Sequence, residues 1–146
     1  MNKEMEKKID KYSNFDENTS YCMKFLEITD DIILSNDVNK IEILFKYFDD
    51  NTEYSWVFEE ILTSMLGIER DKCIPMFLRN LHYFIKKAPS WCREAFSIIF
   101  NSPEDVDFFE KNMRLAKKED LLKLFDLIEK ESPYHKDLIE ILRKKL

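Results

Sequence analysis

Thiol and imidazole side chains, which can bind soft metal ions, recur along residues 73–92. Cys73, His82 and Cys92 are nine and ten residues apart, which matches no zinc-binding pattern. We therefore predict structural roles for these three residues, and no metal or cofactor. With Cys22 the cysteines are odd in number and lie in apolar helical patterns, so we expect reduced, buried thiols. His135 stands alone near a predicted helix start, and we expect it on the surface.

Three pairs of adjacent carboxylates are candidates for acid–base catalysis: Asp30–Asp31, Asp49–Asp50 and Glu59–Glu60. Adjacent side chains on a helix point about 100° apart and do not share a proton. We interpret these pairs as solvated faces. Gly67 is the only glycine, and no Gly-x-Ser-x-Gly occurs, which argues against phosphate loops and nucleophile elbows. The sequence therefore predicts a protein that is not an enzyme.

Trp56 lies off the apolar stripe of its predicted helix. That stripe consists of Tyr54, Val57, Phe58, Ile61, Leu62, Met65 and Leu66. By the helical step, Trp56 points roughly 180° away from the centre of the stripe, onto a face with Glu59 and Glu60. One interpretation, favoured because large aromatics are usually buried, packs Trp56 under a neighbouring helical hairpin. The other makes it an aromatic anchor ringed by acids, as in a binding hot spot.

Acidic residues concentrate at the turn before this helix and on the helix itself. With Trp56 they form the candidate partner-binding site under either interpretation: Asp49, Asp50, Glu53, Trp56, Glu59 and Glu60.

The elements that must position these residues are helices. Hydrophobic periodicity of 3.6 predicts eight of them, over about 19–34, 38–48, 53–67, 71–87, 91–101, 103–116, 118–130 and from 132 onward. Residues 1–15 read as a polar, frayed lead-in, and residues 16–146 as a single domain. Short links favour antiparallel helical hairpins, stacked in a HEAT-like curved array or closed into an irregular bundle. The helix over 91–101 is apolar on nearly all sides, so we expect it at the centre.

Local signals mark several helix boundaries. Residues 35–37 should break one helix and cap the next, and Ser102 followed by Pro103 should start another. Ser90 is a candidate N-cap and Gly67 a candidate C-terminal cap. Pro75 should fall in the first turn of its helix or kink it.

The net charge of −6 is unevenly distributed. Residues 16–69 hold thirteen Asp and Glu against three Lys, a net of −10, whereas residues 71–146 hold thirteen acids and fifteen bases, a net of +2. An acidic half attracts a basic protein and repels nucleic acid. The N-terminus has no apolar signal segment, and no run of about 18 uncharged apolar residues exists. We expect a cytoplasmic protein with no membrane partner.

Three short motifs resemble the immunity protein 30 family. They are an aromatic-x-Trp helix start at residues 54–56, an Ala-Pro-x-Trp turn at residues 88–91, and an Ile-Ile-Phe-Asn-Ser helix end at residues 98–102. The resemblance covers about residues 54–130. Two positions depart from the family pattern, with Glu60 in place of a His and Ile98 in place of a basic residue.

The resemblance implies a small cytoplasmic antitoxin protein that binds and neutralises a toxin domain without catalysis. The acidic charge suggests a basic toxin such as a nuclease, and we expect a monomer when free. The alternative is a helical-repeat scaffold for another cellular protein. A HEAT-like enzyme acting on nucleic acid would need a basic groove, which a C-terminal net of +2 supports poorly.

Overall fold

The computed structural model describes residues 3–146, and helices are the only regular structure in that range. The helices are α1 (Lys3–Tyr12), α2 (Tyr21–Leu34), α3 (Val38–Ile41), α4 (Ser55–Leu66), α5 (Arg70–Arg79), α6 (Leu81–Lys87), α7 (Pro89–Ile99), α8 (Pro103–Asn112), α9 (Lys118–Glu131) and α10 (Lys136–Lys144). Short 3₁₀ segments occupy Glu42–Tyr47, Met113–Leu115 and Pro133–His135. The predicted all-α class is confirmed.

The structure has ten α-helices over residues 3–146 where eight were predicted, and the predicted helix over 71–87 is one source of the difference. It divides at Asn80, which has φ −99° and ψ 5°. The Asn80 side-chain amide donates to the Met76 carbonyl at 2.8 Å, and the Asn80 backbone N–H donates to the same oxygen at 3.2 Å. Pro75 lies in the middle of α5, beyond its first turn.

Two of the predicted boundary signals are correct in full. Asn36 has φ 57°, and Asp37 caps α3 by accepting from the Asn39 N–H at 3.1 Å. Ser102 accepts from the Asp105 N–H at 3.5 Å, and Pro103 is the first residue of α8.

One predicted cap is wrong. Ser90 does not cap α7, which begins one residue earlier with Pro89 at its first position and Ala88 as N-cap; proline suits this position because its φ is already helical and its missing N–H is not needed there. Gly67 is the C-cap residue of α4, but its φ is −78°, so this position needs no left-handed glycine.

Two compact units make up the chain, the first ending at Ile68 and the second covering Glu69–Leu146. Counted by unit, fifteen acids against seven bases give the first unit a net charge of −8, and fourteen acids against sixteen bases give the second +2. That the units act together as the single domain predicted over 16–146 stays a prediction.

The first unit is built on a cluster of aromatic rings. Phe58 of α4 packs against Phe15, Phe25 and Phe48, with ring centroids 5.6, 6.3 and 5.2 Å away. The rings of all four residues are at most 2 % exposed. Through this cluster, the segment after α1 and the helices α2 and α4 share one core.

The frayed lead-in expected at residues 1–15 differs from the structure over residues 3–15, since α1 contacts α2 and its Ile9 is buried; residues 1 and 2 lie outside the described range. Tyr47 donates a hydrogen bond to the Asp10 carboxylate. Burial and this accepting carboxylate raise the pKa of the Tyr47 phenol, so the phenol remains a donor at physiological pH. Periodicity missed α1 because most of its residues are charged.

In the second unit α5 packs on α8, and α7 packs on α6 and α9. Phe109 lies at the centre of a ring cluster with Phe96, Phe100 and Phe125, at centroid distances of 5.9, 4.9 and 6.3 Å. Most apolar residues of α7 are buried, among them Cys92, Ala95, Phe96 and Ile99, whereas Ile98 is 42 % exposed.

Polar contacts add to the second unit. Arg70 donates from Nε to Asp105 at 2.8 Å and from Nη1 to Glu104 at 2.6 Å. Lys145 donates to Glu110 at 2.8 Å. These contacts join residues that lie far apart in sequence.

His135 is buried, so the prediction of a surface histidine is wrong. The 3₁₀ segment that begins at Pro133 turns the imidazole toward the ring of Phe100, with centroids 6.2 Å apart at 82°. Its Nε2 atom has no hydrogen-bond partner in the described part of the chain. The sequence showed an isolated polar residue, but not the ring beside it.

Replacing Phe58 with Ala should destabilise the first unit by about 3–5 kcal/mol, because it removes a ring shared by three neighbours and leaves a cavity. Urea unfolding followed by circular dichroism measures this change. Leu34→Ala is the matched control, since Leu34 lies in the same unit and is 81 % exposed; its effect should stay within about 0.5 kcal/mol. Equal losses for the two variants would contradict the assignment of the core.

Candidate functional site

The outward face of α4 carries the candidate site. Trp56, Glu59, Glu60, Thr63 and Ser64 follow the spacing i, i+3, i+4, i+7 and i+8, so they form one stripe. The opposite face of the helix is buried and holds Val57, Phe58, Ile61, Leu62 and Met65, each at most 2 % exposed. Because the apolar face is fixed in the core, the stripe must face outward.

The stripe forms one side of an open groove. Asp30 of α2, which packs on α4, joins the five stripe residues in lining it. The groove has a volume of about 490 Å³. We call it the α2–α4 groove.

Trp56 is 41 % exposed, so the favoured interpretation of a buried side chain is wrong. Its indole makes no hydrogen bond, and no aromatic contact, with any residue between 3 and 146. Exposing a large aromatic surface to water is unfavourable. The other interpretation, an aromatic anchor for a partner, stays a prediction.

The carboxylates of the groove have no cationic neighbour. Asp30, Glu59 and Glu60 are exposed, and none of them forms an ion pair with a residue of the described range. Some acids elsewhere do form ion pairs: Arg70 contacts Glu104 and Asp105, and Arg143 contacts Asp126 and Glu129. The negative charge of the groove is therefore uncompensated within the described chain.

The turn before α4 carries the other predicted site residues, Asp49, Asp50 and Glu53, and these acids have a partly structural role. Asp49 is half-buried and accepts from the Asn51 N–H at 2.9 Å, and Asp50 is half-buried as well. Glu53 is exposed, while its backbone N–H donates to Asp16 at 3.3 Å. Thr52 donates to the same Asp16 oxygen at 2.7 Å.

The structure thus divides the predicted site in two. Trp56, Glu59 and Glu60 line the groove, whereas Asp49, Asp50 and Glu53 belong to the turn that leads into α4. Asp30 lines the same groove but was not among the predicted site residues. The sequence showed it only as half of an acidic pair, and its place beside Trp56 depends on the packing of α2 against α4.

A family model described as immunity protein 30 matches residues 11–109. The chain belongs to the immunity protein 30 family. The suspected family is confirmed, and the match begins well before the resembling stretch at residues 54–130. It includes Asp30 and all the other residues of the α2–α4 groove. Searches of curated proteins and of solved structures found no match.

His82 of this immunity protein 30 family member links a buried acid to a lysine. Its Nδ1 lies 3.0 Å from Asp120, whose side chain is 2 % exposed, and its Nε2 lies 3.1 Å from the Lys86 ammonium. A neutral imidazole donates from Nδ1 and accepts at Nε2, which satisfies both neighbours. This geometry gives His82 a structural role that compensates the burial of Asp120.

Residues 3–146 contain no group of three or more His, Cys, Asp or Glu side chains placed to hold a metal ion. Nor does a helix in that range have the length and apolar character needed to cross a membrane.

The side chains of all three cysteines are buried. Burial raises the pKa of the Cys73 thiol to about 12, with a smaller contribution from the Asp105 carboxylate. Burial, followed by the charge of Asp16, also raises the pKa of the Cys22 thiol. Because the thiolate is the reactive form, these two thiols are protonated and unreactive at neutral pH.

We expect thiol labelling at pH 8 to be slow in the folded protein and complete in denaturant. Mass spectrometry after reaction with a maleimide counts the labelled cysteines. The raised pKa of Cys73 means that its labelling should remain slow until the pH approaches about 12 or the unit unfolds. Rapid labelling of Cys73 at pH 8, with an unchanged circular dichroism spectrum, would contradict this assignment.

Proposed function

We propose that this protein acts as its family implies, by binding a cognate toxin domain and neutralising it without catalysis of its own. The observation that carries the proposal is the exposed, uncompensated acidic face around Trp56. In an isolated chain, the exposed indole and the unpaired carboxylates of this face are energetically unfavourable. Contact with a partner would cover them, and an exposed tryptophan is typical of a binding hot spot.

The charge of the first unit favours a basic partner, such as a nuclease toxin. With a net charge of −8, this unit attracts a cationic protein at long range and speeds its association. The same charge repels nucleic acid phosphates, so we propose a protein partner and no direct contact with nucleic acid.

In this mechanism the immunity protein covers the functional surface of the toxin. The proposed contact residues are Trp56, Glu59 and Glu60 with Asp30 in the groove, and Asp49, Asp50 and Glu53 at the adjoining turn. The complex would form in the cytoplasm, from a free monomer, with no cofactor and no membrane involved.

Expression of the toxin domain encoded next to this gene tests the proposal directly. We expect growth arrest by the toxin alone, growth rescue when this protein is co-expressed, and a complex that co-purifies. Absence of both rescue and complex would overturn the proposal and favour the scaffold alternative. The control is a second immunity protein from an unrelated toxin pair, which should not rescue.

Charge reversal locates the interface. Glu59→Lys with Glu60→Lys should lower the association rate with the toxin by roughly tenfold or more at low salt, since steering contributes up to two or three orders of magnitude. The fold should survive, because both side chains are exposed. Stopped-flow mixing measures the rate.

Glu94→Lys with Glu140→Lys is the matched control for charge. Both residues are exposed and lie inside helices of the second unit. If the two double variants slow association equally, net charge rather than the α4 face controls binding, and the interface lies elsewhere.

A further inference from the structure

We propose that the α2–α4 groove binds an arginine side chain of the partner, with its guanidinium stacked on Trp56 and hydrogen-bonded to the carboxylates of Asp30, Glu59 and Glu60. The inference rests on the proposed function in one respect, that the arginine belongs to a toxin. The preference for an arginine side chain is argued from the residues of the groove alone.

The groove is an open site on a fixed helix. The apolar face of α4 lies in the aromatic core, so the outward stripe is held in place. Neither Trp56 nor the three carboxylates use a side-chain partner within residues 3–146. A ligand would therefore meet a preorganised surface, with no internal ion pair to break first.

The hydrogen-bonding groups of the groove are mainly acceptors. Three ionised carboxylates offer six acceptor oxygens. The Thr63 hydroxyl already donates to the Glu59 carbonyl at 2.8 Å, so it too faces a ligand as an acceptor. The complementary ligand is a cation that carries several N–H donors and accepts nothing, as arginine and lysine side chains do.

Trp56 selects between these two cations. A guanidinium is planar and weakly hydrated, so it stacks on an aromatic face and still offers its edge donors to carboxylates. An ammonium is compact and strongly hydrated, and it binds a carboxylate as a point charge. With carboxylates on the same stripe and on the facing helix, the groove can satisfy the face and the edge of one guanidinium together.

A second open groove of the first unit lacks this combination. It is lined by Glu4, Lys8, Asp31 and Lys40 around Met5, Ile28 and Ile32. Its two lysines offset its two acids, and it contains no aromatic ring. The α2–α4 groove is therefore the better site for an arginine.

Two synthetic peptides, hexa-arginine and hexa-lysine, serve as probes of equal charge. Calorimetric titration at 150 mM salt should give a dissociation constant roughly three- to fivefold lower for hexa-arginine, the range of one exposed cation–π contact. In nitrogen-15 spectra, hexa-arginine should shift the indole N–H signal of Trp56 and leave that of Trp91 in place. A Trp91→Phe variant assigns the two signals.

Variants separate the aromatic contribution from the charge. Trp56→Leu keeps the acids, so both peptides should still bind but the preference for arginine should fall to about one. Glu59→Gln with Glu60→Gln should weaken both peptides, whereas Glu94→Gln with Glu140→Gln should change binding less. Equal affinities for the two peptides in the unmodified protein, or a preference that survives Trp56→Leu, would overturn the inference.

These results are distinguishable from a failure of the proposed function. Toxin rescue without a peptide preference would reject the arginine site and retain the immunity role. A peptide preference without rescue by the neighbouring toxin would support the arginine site and reject the toxin as the source of the arginine.

Discussion

Burial of one face of α4 is the constraint on which the candidate site depends. Phe58 is held by Phe15, Phe25 and Phe48, so the helix cannot rotate without exposing the largest rings of the first unit. A rotation that hid Trp56 would bring Phe58 toward water, at a cost of a few kcal/mol for each large side chain. The exposure of the indole is thus a consequence of core packing, and its acidic neighbours follow from the helical repeat.

Charge is organised differently in the two units. The second unit pairs several of its acids with Arg70, Arg143 and Lys145, and its net charge is small. The first unit has seven bases for fifteen acids. Asp10 pairs with Lys46, Asp16 and Asp49 serve local structure, and the acids of the α2–α4 groove face water. Surface pairs contribute little to stability, so this arrangement has more influence on the choice and speed of partners than on the fold.

Sequence reasoning succeeded where one residue type determines the local backbone. Asp37, Ser102 and Pro103 set helix starts by their own side chains, and the α4 stripe followed from counting residues. Sequence reasoning failed where a residue distant in sequence determines the local conformation or the burial of a side chain. The charged sequence of α1 contacts α2, the helical conformation is interrupted at Asn80, and His135 is buried beside Phe100. Asp30 joined the site only through helix packing. The immunity protein 30 family was identifiable from short motifs because these are local patterns too.

Many polar contacts within each unit share a common sequence separation. Tyr47 and Asp10 are 37 residues apart, Thr52 and Asp16 are 36 apart, Arg70 and Asp105 are 35 apart, and His82 and Asp120 are 38 apart. Each contact closes a loop of nearly equal length, so the entropic cost of closure is nearly the same for all of them. During synthesis, each early residue must wait for about the same further length of chain before its partner emerges. An insertion in a loop between two partners would therefore add only a small further cost of closure.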